Sequence, residues 1–265
     1  MKRLGAWMAL LLALGAPRLG VLAQSDADPA KDDLIVQARQ HAVAFRRDLP
    51  NFVVNQKVTR TQQISPSKDW RADQMLETEL TYAASKGEQI KVLKVDGRPT
   101  KESELGAVGG MTSIGEFGAA LELVFASNPS FRAGEHDELR GRDAVIYDFI
   151  AKNVRQETKK SMSGKTEASR LVDFSGRLWI DAAAKRVVRL EWAVGSFPSG
   201  SPVNLQEHSI DYDWATIEDQ KYLLPVRAEL LIGLTTYKMH LRNVIEFVNY
   251  RKWEGKIRIV DSSRT

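Results

Sequence analysis

Histidine is the side chain that most often carries acid–base chemistry or a metal near neutral pH, and this chain of 265 residues has four. They are His41, His136, His208 and His240, and none belongs to a His-Glu-x-x-His motif or another pair with metal-ligand spacing. A histidine without an orienting partner has no catalytic geometry. We therefore interpret His41 and His240 as exposed or hydrogen-bonded residues and predict no metal site.

The other residues that could do chemistry are a serine-containing turn and an acidic pair. Residues 195–200 read Gly-Ser-Phe-Pro-Ser-Gly, which is not the Gly-x-Ser-x-Gly of a serine nucleophile and instead indicates a turn. Asp211 and Asp213 would lie about 7 Å apart on one strand face, a separation that a glycosidase could use. The simpler interpretation is a solvated strand face, because the residues between and beside them are apolar. We predict a protein that is not an enzyme, with an exported hydrolase as the remote alternative.

Composition limits the classes of partner and cofactor. The formal net charge is +4, and removal of an N-terminal segment with Lys2, Arg3 and Arg18 would leave +1, which gives no electrostatic reason to expect nucleic acid. The absence of cysteine excludes disulfides, zinc–thiolate sites, cysteine nucleophiles and lipid attachment through an N-terminal cysteine. No Gly-x-Gly-x-x-Gly follows a predicted strand, so no cofactor is predicted.

The first 23 residues have the pattern of a secretory signal peptide. A basic start is followed by an apolar run at 4–16, and Val21-Leu22-Ala23 supplies small residues for cleavage before Gln24. A retained membrane anchor is the alternative, but Pro17 interrupts the apolar run well short of the ~20 residues that span a bilayer. We predict an exported protein, periplasmic or extracellular, with a flexible leader at 24–31, one domain at 32–265 and no transmembrane segment after cleavage.

Most of that domain has the alternation of β-strands with one buried face. In residues 186–194, for example, Val188, Leu190, Trp192 and Val194 share a side. Strands are predicted at 52–61, 76–82, 89–95, 144–150, 177–180, 186–194, 209–214, 222–232, 237–250 and 257–260. With no βαβ alternation, a mainly β (α+β) fold of about ten to twelve antiparallel strands follows.

Two helices are predicted within this sheet protein. The first spans 34–45, capped by Asp32 or Asp33 and ended by Pro50. The second spans 114–125, with Ser113 and Glu116 in the positions of a capping box. Its glycines indicate close packing on the sheet, and a movable lid or plug is the alternative.

Turns and irregularities are also predicted. Asp96-Gly97 and residues 140–143 indicate tight turns, and Asp181 is interpreted as a turn residue. Residues 98–113 are interpreted as a loop, and residues 155–169 as a long solvated loop or the tip of a wide hairpin. Pro225 indicates an edge strand, a bulge or the start of a strand. The alternation of apolar and polar residues weakens near Arg242, which indicates a bulge or strong coiling of the strand.

Aromatic and aliphatic residues on the predicted apolar faces are either sheet core or the wall of an apolar cavity, since both need the same side chains. The candidates for an apolar groove are Phe117, Leu121, Val124, Phe125, Leu190, Trp192, Tyr212 and Trp214. Trp179 has the opposite parity, shared with Arg177 and Asp181. It would either pack under a loop or helix, or form an exposed surface for a partner.

The order of these elements resembles the lipoprotein-carrier superfamily of LolA, LolB and RseB type. The resemblance rests on helix 34–45 running into Phe52-Val-Val-Asn-Gln-Lys-Val58, on Leu178-Trp-Ile-Asp181 with its turn, and on Tyr222-Leu-Leu-Pro225. The chain also resembles exported bacterial proteins of unknown function that share Leu49-Pro50-Asn51-Phe52 and Asp96-Gly97-Arg98-Pro99. The resemblance implies a strongly curved antiparallel sheet, or open half-barrel, with helices on its concave face.

The resemblance and the residues together predict a function of binding rather than catalysis. We expect a non-enzymatic periplasmic binding or carrier protein for a lipid, an acyl chain or another apolar ligand, with the helix at 114–125 covering or filling the groove. The partners expected are therefore a lipid or lipoprotein acyl chain, or another envelope protein. An envelope structural or protein-interaction module with a filled core is the alternative.

Overall fold

The computed structural model describes residues 32–65, 68–100, 115–156 and 170–254. In these ranges the chain forms two helices and eleven strands, and every strand pair is antiparallel. The helices are α1 (Asp33–Asp48) and α2 (Ala119–Ala126). The strands are β1 (Phe52–Ile64), β2 (Arg71–Ala83), β3 (Gly87–Val95), β4 (Arg98–Pro99), β5 (Ser130–Leu139), β6 (Arg142–Gln156), β7 (Arg170–Asp181), β8 (Val187–Val194), β9 (Val203–Ile217), β10 (Gln220–Leu234) and β11 (Met239–Lys252).

All eleven strands belong to one open, curved sheet, which confirms the predicted fold class. The order is β4-β3-β2-β1-β11-β10-β9-β8-β7-β6-β5, so every pair of consecutive strands is adjacent except β4 and β5, and β11 returns to lie beside β1. β4 and β5 form the two edges. Because the connections are hairpins, most loops lie at one of two ends of the sheet.

Pairing register places one row of side chains across nine strands on the face that carries the helices, here called the helix face. The row contains Tyr147, Leu178, Leu190, Ile210, Ala228, Ile245, Val58, Leu76 and Val95. The first eight are at most 2% exposed. This row is the centre of the core, and we call the opposite side of the sheet the outer face.

Helix α1 begins as predicted, because the Asp32 carboxylate accepts a hydrogen bond from the Leu34 amide at 2.9 Å. Ile35, Ala38, Ala42 and Phe45 form its buried stripe. The helix ends at Asp48, and Leu49 is extended, as expected before proline.

Helix α2 is shorter than predicted and begins at Ala119 rather than at residue 114. Gly115 and Gly118 have φ angles of +86° and +100°, and this left-handed backbone prevents the helix from starting earlier. The N-cap is Gly118, without a side-chain hydrogen bond, so the capping role predicted for Glu116 is wrong. A Cβ on Gly118 would lie 2.9 Å from the Phe45 ring, so this glycine allows close approach to α1 rather than to the sheet, as had been expected.

Several irregularities differ from the expected ones. The edge strand β5 was not predicted, because of its ten residues only Phe131 is buried. The expected bulge at Pro225 is confirmed by a register shift between Pro225 and Arg227. Of the bulge or strong coiling expected near Arg242, the bulge is wrong, because the register of β11 is continuous there. The register of β11 shifts instead opposite residues 53–55 of β1, and Asn249 in that part of β11 has a φ of +60°.

Some predictions concern residues outside the described ranges. These are the signal peptide at 1–23, the leader at 24–31, the Ser113 cap, most of the loops at 98–113 and 155–169, and the strand at 257–260. In the described ranges, neither helix is long and apolar enough to span a membrane.

Candidate functional site

The middle of the helix face is filled by the two helices. Phe117 of the turn before α2 lies against Phe52 and Phe247, with ring centroids 5.1 Å and 5.6 Å away, and Phe45 of α1 meets Tyr212 edge-on at 5.9 Å. The cavity left between α1, Leu121 and the sheet measures only about 10 Å³. This volume is that of roughly one water molecule, too small for an acyl chain.

The predicted groove residues are therefore mostly core residues. Seven of the eight are 0–7% exposed and belong to the central cluster: Phe117, Leu121, Val124, Phe125, Leu190, Trp192 and Tyr212. Trp214 is 39% exposed and lies outside that cluster. The structure thus brings seven candidates together on one face, but as a packed interior rather than as an empty groove.

The helix face continues beyond this packed region, toward the end of the sheet where β1 and β10 finish. Burial decreases along β10 from Ala228 (0%) and Leu230 (2%) to the half-buried Ile232 and Leu234. Register pairs Ile232 with Gln206 and Leu241, Leu241 with Gln62, and Leu234 with Met239. We call these half-buried residues the distal rows: Gln62, Gln206, Ile232, Leu234, Met239 and Leu241. They include a stretch of half-buried aliphatic side chains on the helix face, at the end of the sheet away from the packed middle.

Between the core and the distal rows lies a row that mixes aromatic and polar groups. The rings of Trp192 and His208 stack with centroids 4.3 Å apart. His208 Nε2 lies 2.8 Å from the Gln206 amide, whereas Nδ1 is buried without a hydrogen-bond partner in the described structure. Burial lowers the pKa of His208 to about 4, so its ring is neutral at physiological pH. Farther along the row, Arg60 donates to Gln74 at 2.9 Å.

The outer face carries many charged side chains. A groove of about 450 Å³ crosses β7 to β10 there, and its charged lining residues are Arg177, Arg189, Arg227, Glu191, Glu207 and Glu229. Hydrogen bonds from Arg242 and Arg227 outweigh burial and lower the pKa of Glu229. Since its positive and negative groups pair with one another, the groove has no strong preference for a ligand of one sign.

Trp179 is 7% exposed, so the structure places it under neighbouring residues rather than on a free surface. Its Nε1–H donates to Asp137 Oδ2 at 3.0 Å, and the Arg189 guanidinium lies 5.3 Å from its ring centroid. Asp181 behaves as predicted, since its carboxylate accepts hydrogen bonds from the amides of Ala183 and Ala184.

The acidic pair on β9 does not form the solvated face that was expected. Asp211 is 5% exposed and lies 3.3 Å from both Arg140 and Arg189, while Arg142 donates to Asp213 at 2.6 Å. Burial alone would raise the pKa of Asp213, but the hydrogen bonds from Arg142 and a backbone amide lower it. A glycosidase acid requires a raised pKa. These carboxylates therefore serve as ion-pair partners.

The remaining titratable groups are dispersed. In the described part of the chain, no three histidine, aspartate or glutamate side chains converge to hold a metal. His136 lies 3.2 Å from Asp143 on an exposed hairpin, and His240 lies 3.2 Å from Gln63. His41 is on α1, where burial and the nearby Arg186 lower its pKa.

Comparison with known proteins gives similarity at the level of structure only. No protein-family model and no curated protein matches the chain. A LolA superfamily protein from Nitrosomonas europaea is 11% identical, with a TM-score of 0.36 over 84% of this chain and 93% of that one. A DUF1329 family protein from Desulfovibrio piger is 10% identical, with a TM-score of 0.34 over 84% and 95%. MucB in the MucA/MucB complex of Pseudomonas aeruginosa gives 11% identity and a TM-score of 0.23 over 84% and 99%.

These neighbours include proteins of the type that the sequence resembles. Such identities and TM-scores do not locate a ligand or a partner site on this chain. The site is therefore inferred from the contacts of its own residues.

The sequence did not reveal the ion pairs that join the β5–β6 hairpin to β9. Arg140 and Arg142 are two residues apart, and so are their partners Asp211 and Asp213, which matches the period of a strand. That common spacing is the signal that could have suggested the contact. The Trp192–His208 stack had no comparable signal, because it depends on the register between β8 and β9.

Proposed function

We propose that this chain is a non-enzymatic periplasmic binding or carrier protein for a lipid, an acyl chain or another apolar ligand. The observation that supports the proposal most directly is the half-buried aliphatic surface of the distal rows, beside a packed helix face. Ile232, Leu234, Leu241 and Met239 point to the same side as the core yet keep part of their surface accessible. Covering such surface with an apolar chain is favourable by about 25 cal/mol per Å².

The proposed ligand position follows from the packing. The middle of the helix face leaves about 10 Å³ beside α2, so an acyl chain there would have to displace the helix. The side chains of the distal rows are only half-buried, so an apolar ligand there would cover surface that is already accessible. Trp192 and Leu230 border these rows on the core side, and Gln206 and Gln62 offer amides to a polar head group.

Fluorescent fatty acid titration tests this proposal. The chain beginning at Gln24, freed of bound lipid, is expected to bind the probe saturably. The double variant Ile232→Gln and Leu241→Gln should weaken binding at least tenfold, because burying unpaired amides against an acyl chain is unfavourable. Leu231→Gln is the matched control, since Leu231 neighbours Ile232 but lines the outer groove, and it should bind as the parent chain does.

Two results would contradict the proposal. One is the absence of saturable binding by a folded, delipidated chain. The other is equal weakening by Leu231→Gln and by the helix-face double variant, which would place the probe elsewhere or indicate a general loss of structure.

A protein-interaction module of the cell envelope is the second candidate, and the packed middle of the helix face favours it. In that case the outer groove, with its alternating Arg and Glu side chains, is the more suitable surface for a partner. Charge reversal at the exposed Glu207 would then weaken capture of an envelope protein and leave fatty acid binding unchanged.

A further inference from the structure

Three hairpin turns lie side by side at the end of the sheet where the distal rows finish. They join β1 to β2, β10 to β11 and β8 to β9. The Ser65 amide donates to the Lys238 carbonyl at 3.1 Å, and the Thr235 amide donates to the Pro202 carbonyl at 2.9 Å. These backbone hydrogen bonds connect the three turns into one surface. We call it the loop tip, made of residues 64–65, 68–71, 195–202 and 235–238.

The loop tip exposes large apolar side chains. Tyr237 is 69% exposed, Ile64 47% and Trp70 39%. Three large aromatic residues are exposed in the described structure, and two of them, Trp70 and Tyr237, belong to the loop tip; the third is Trp214. Single exposed apolar residues scattered over a protein surface are ordinary. Here the exposed aromatic residues instead lie together on adjacent turns. Tryptophan and tyrosine are the residues enriched where proteins meet the lipid–water interface.

Basic residues accompany these aromatics. Lys68, Arg71 and Lys238 are exposed, and none forms an ion pair among the described residues. Asp69 and Asp73 are the nearby acids, and Arg60 contributes a further positive charge beside Asp73. The turn between β8 and β9 carries no charge at all. The excess of positive charge at the loop tip therefore favours binding to an anionic surface over binding to a cationic one.

The size of the patch favours a membrane over a folded protein partner. Two partly exposed aromatic rings and one isoleucine present roughly 300 Å² of surface, given 150–250 Å² for a whole aromatic side chain. A stable protein interface needs about 800 Å² from each partner. Shallow insertion of a few aromatic side chains between lipid head groups, aided by lysines, requires much less area.

We propose that the loop tip docks this protein onto the surface of a membrane that contains anionic phospholipid. Trp70 and Tyr237 enter the head-group region, and Lys68 and Lys238 contact lipid phosphates. This inference does not depend on the proposed carrier function, because the tip residues lie beyond the distal rows. Docking at this end would bring Leu234 and Met239, the last residues of those rows, next to the lipid.

Vesicle flotation tests the inference with the chain that begins at Gln24. Vesicles of phosphatidylethanolamine and phosphatidylglycerol at 3:1 should carry the protein, and phosphatidylcholine vesicles should carry at least fivefold less. Trp70→Ser with Tyr237→Ser should reduce flotation at least tenfold, and so should Lys68→Glu with Lys238→Glu. Since these side chains are exposed, the variants should keep the parent's circular dichroism spectrum.

Matched controls lie at the opposite end of the molecule. Lys86→Glu with Lys221→Glu makes the same charge change at two exposed lysines there, and Val43→Ser removes a side chain that is 63% exposed on α1. Both controls, and the distal-row variant Ile232→Gln with Leu241→Gln, should float as the parent does. The inference is overturned if the parent chain does not float, if the tip variants float unchanged, or if the lysine controls lose binding equally.

Discussion

The indole of Trp192 lies flat on the imidazole of His208, with an interplanar angle of 1° and ring centroids 4.3 Å apart. The pair occupies facing positions on β8 and β9, at the boundary between the packed core and the distal rows. His208 is 9% exposed, so a positive charge on its ring would lose most of its hydration. Burial consequently lowers its pKa from 6.5 to about 4.

This shift predicts that acid destabilises the protein through His208. A histidine with a lower pKa in the folded state binds a proton more weakly than in the unfolded chain, so its contribution to stability falls as pH drops from 6.5 to about 4. The free energy of unfolding should decrease by about 2 kcal/mol more between pH 7 and pH 4.5 in the parent than in His208→Gln. Urea unfolding at both pH values measures this difference. If His208→Gln loses as much stability as the parent between pH 7 and pH 4.5, burial of the imidazole does not govern the acid response.

A second prediction concerns Asp32, whose carboxylate serves two elements at once. One oxygen accepts the Leu34 amide at the start of α1, and the other accepts the Tyr147 hydroxyl of β6 at 2.7 Å. Asp32→Ala removes the cap and leaves the tyrosine hydroxyl without this acceptor. We expect a loss of about 2–3 kcal/mol in the free energy of unfolding.

Tyr147→Phe separates the two roles of Asp32. It deletes the hydroxyl but keeps the helix cap, so a loss of about 1 kcal/mol is expected. Urea unfolding of both variants gives the comparison. Equal losses would mean that the cap contributes nothing beyond the hydrogen bond to Tyr147.

The elements that sequence predicted well are those specified by neighbouring residues. Asp32 caps α1 through a contact two residues away, and Asp96-Gly97 forms its turn with φ angles of +49° and +77°. The alternation of β8 is visible within eight residues. Such local signals also predicted the antiparallel, mainly β fold, because strands joined by tight turns form hairpins.

The features that sequence missed depend on contacts between distant parts of the chain. The edge strand β5 has little alternation, since one side of an edge strand has no partner and Phe131 alone is buried. Arg140 and Asp211 are 71 positions apart and meet only because the sheet brings the β5–β6 hairpin to β9. Whether the apolar strand faces form a core or a cavity likewise depended on where the helices pack.

A third prediction tests that packing through Gly118, at the start of α2. Its φ is +100°, and a Cβ would lie 2.6 Å from Arg46 Cγ and 2.9 Å from the Phe45 ring. Gly118→Ala therefore combines backbone strain with a clash against α1, and should lower the free energy of unfolding by about 2–4 kcal/mol.

Gly97→Ala is the control for backbone strain alone. Gly97 has a φ of +77°, but a Cβ there would meet no atom within 4 Å. We expect a loss of about 1 kcal/mol. If both substitutions cost the same in urea unfolding, the contact between Gly118 and α1 is not tight in solution.

The final prediction concerns Trp179. The sequence alone did not decide whether this residue is buried or forms an exposed surface for a partner. The indole is covered by Arg189 and donates to Asp137, so its main role in this structure is to hold the β5–β6 hairpin against the outer face. Trp179→Ala should lower the free energy of unfolding by about 2–4 kcal/mol, because it removes a buried aromatic ring. Trp179→Phe keeps most of the packing but loses the N–H donor, and should cost about 1 kcal/mol. A Trp179→Ala chain that unfolds like the parent in urea, yet no longer captures an envelope partner, would instead establish Trp179 as an interaction surface.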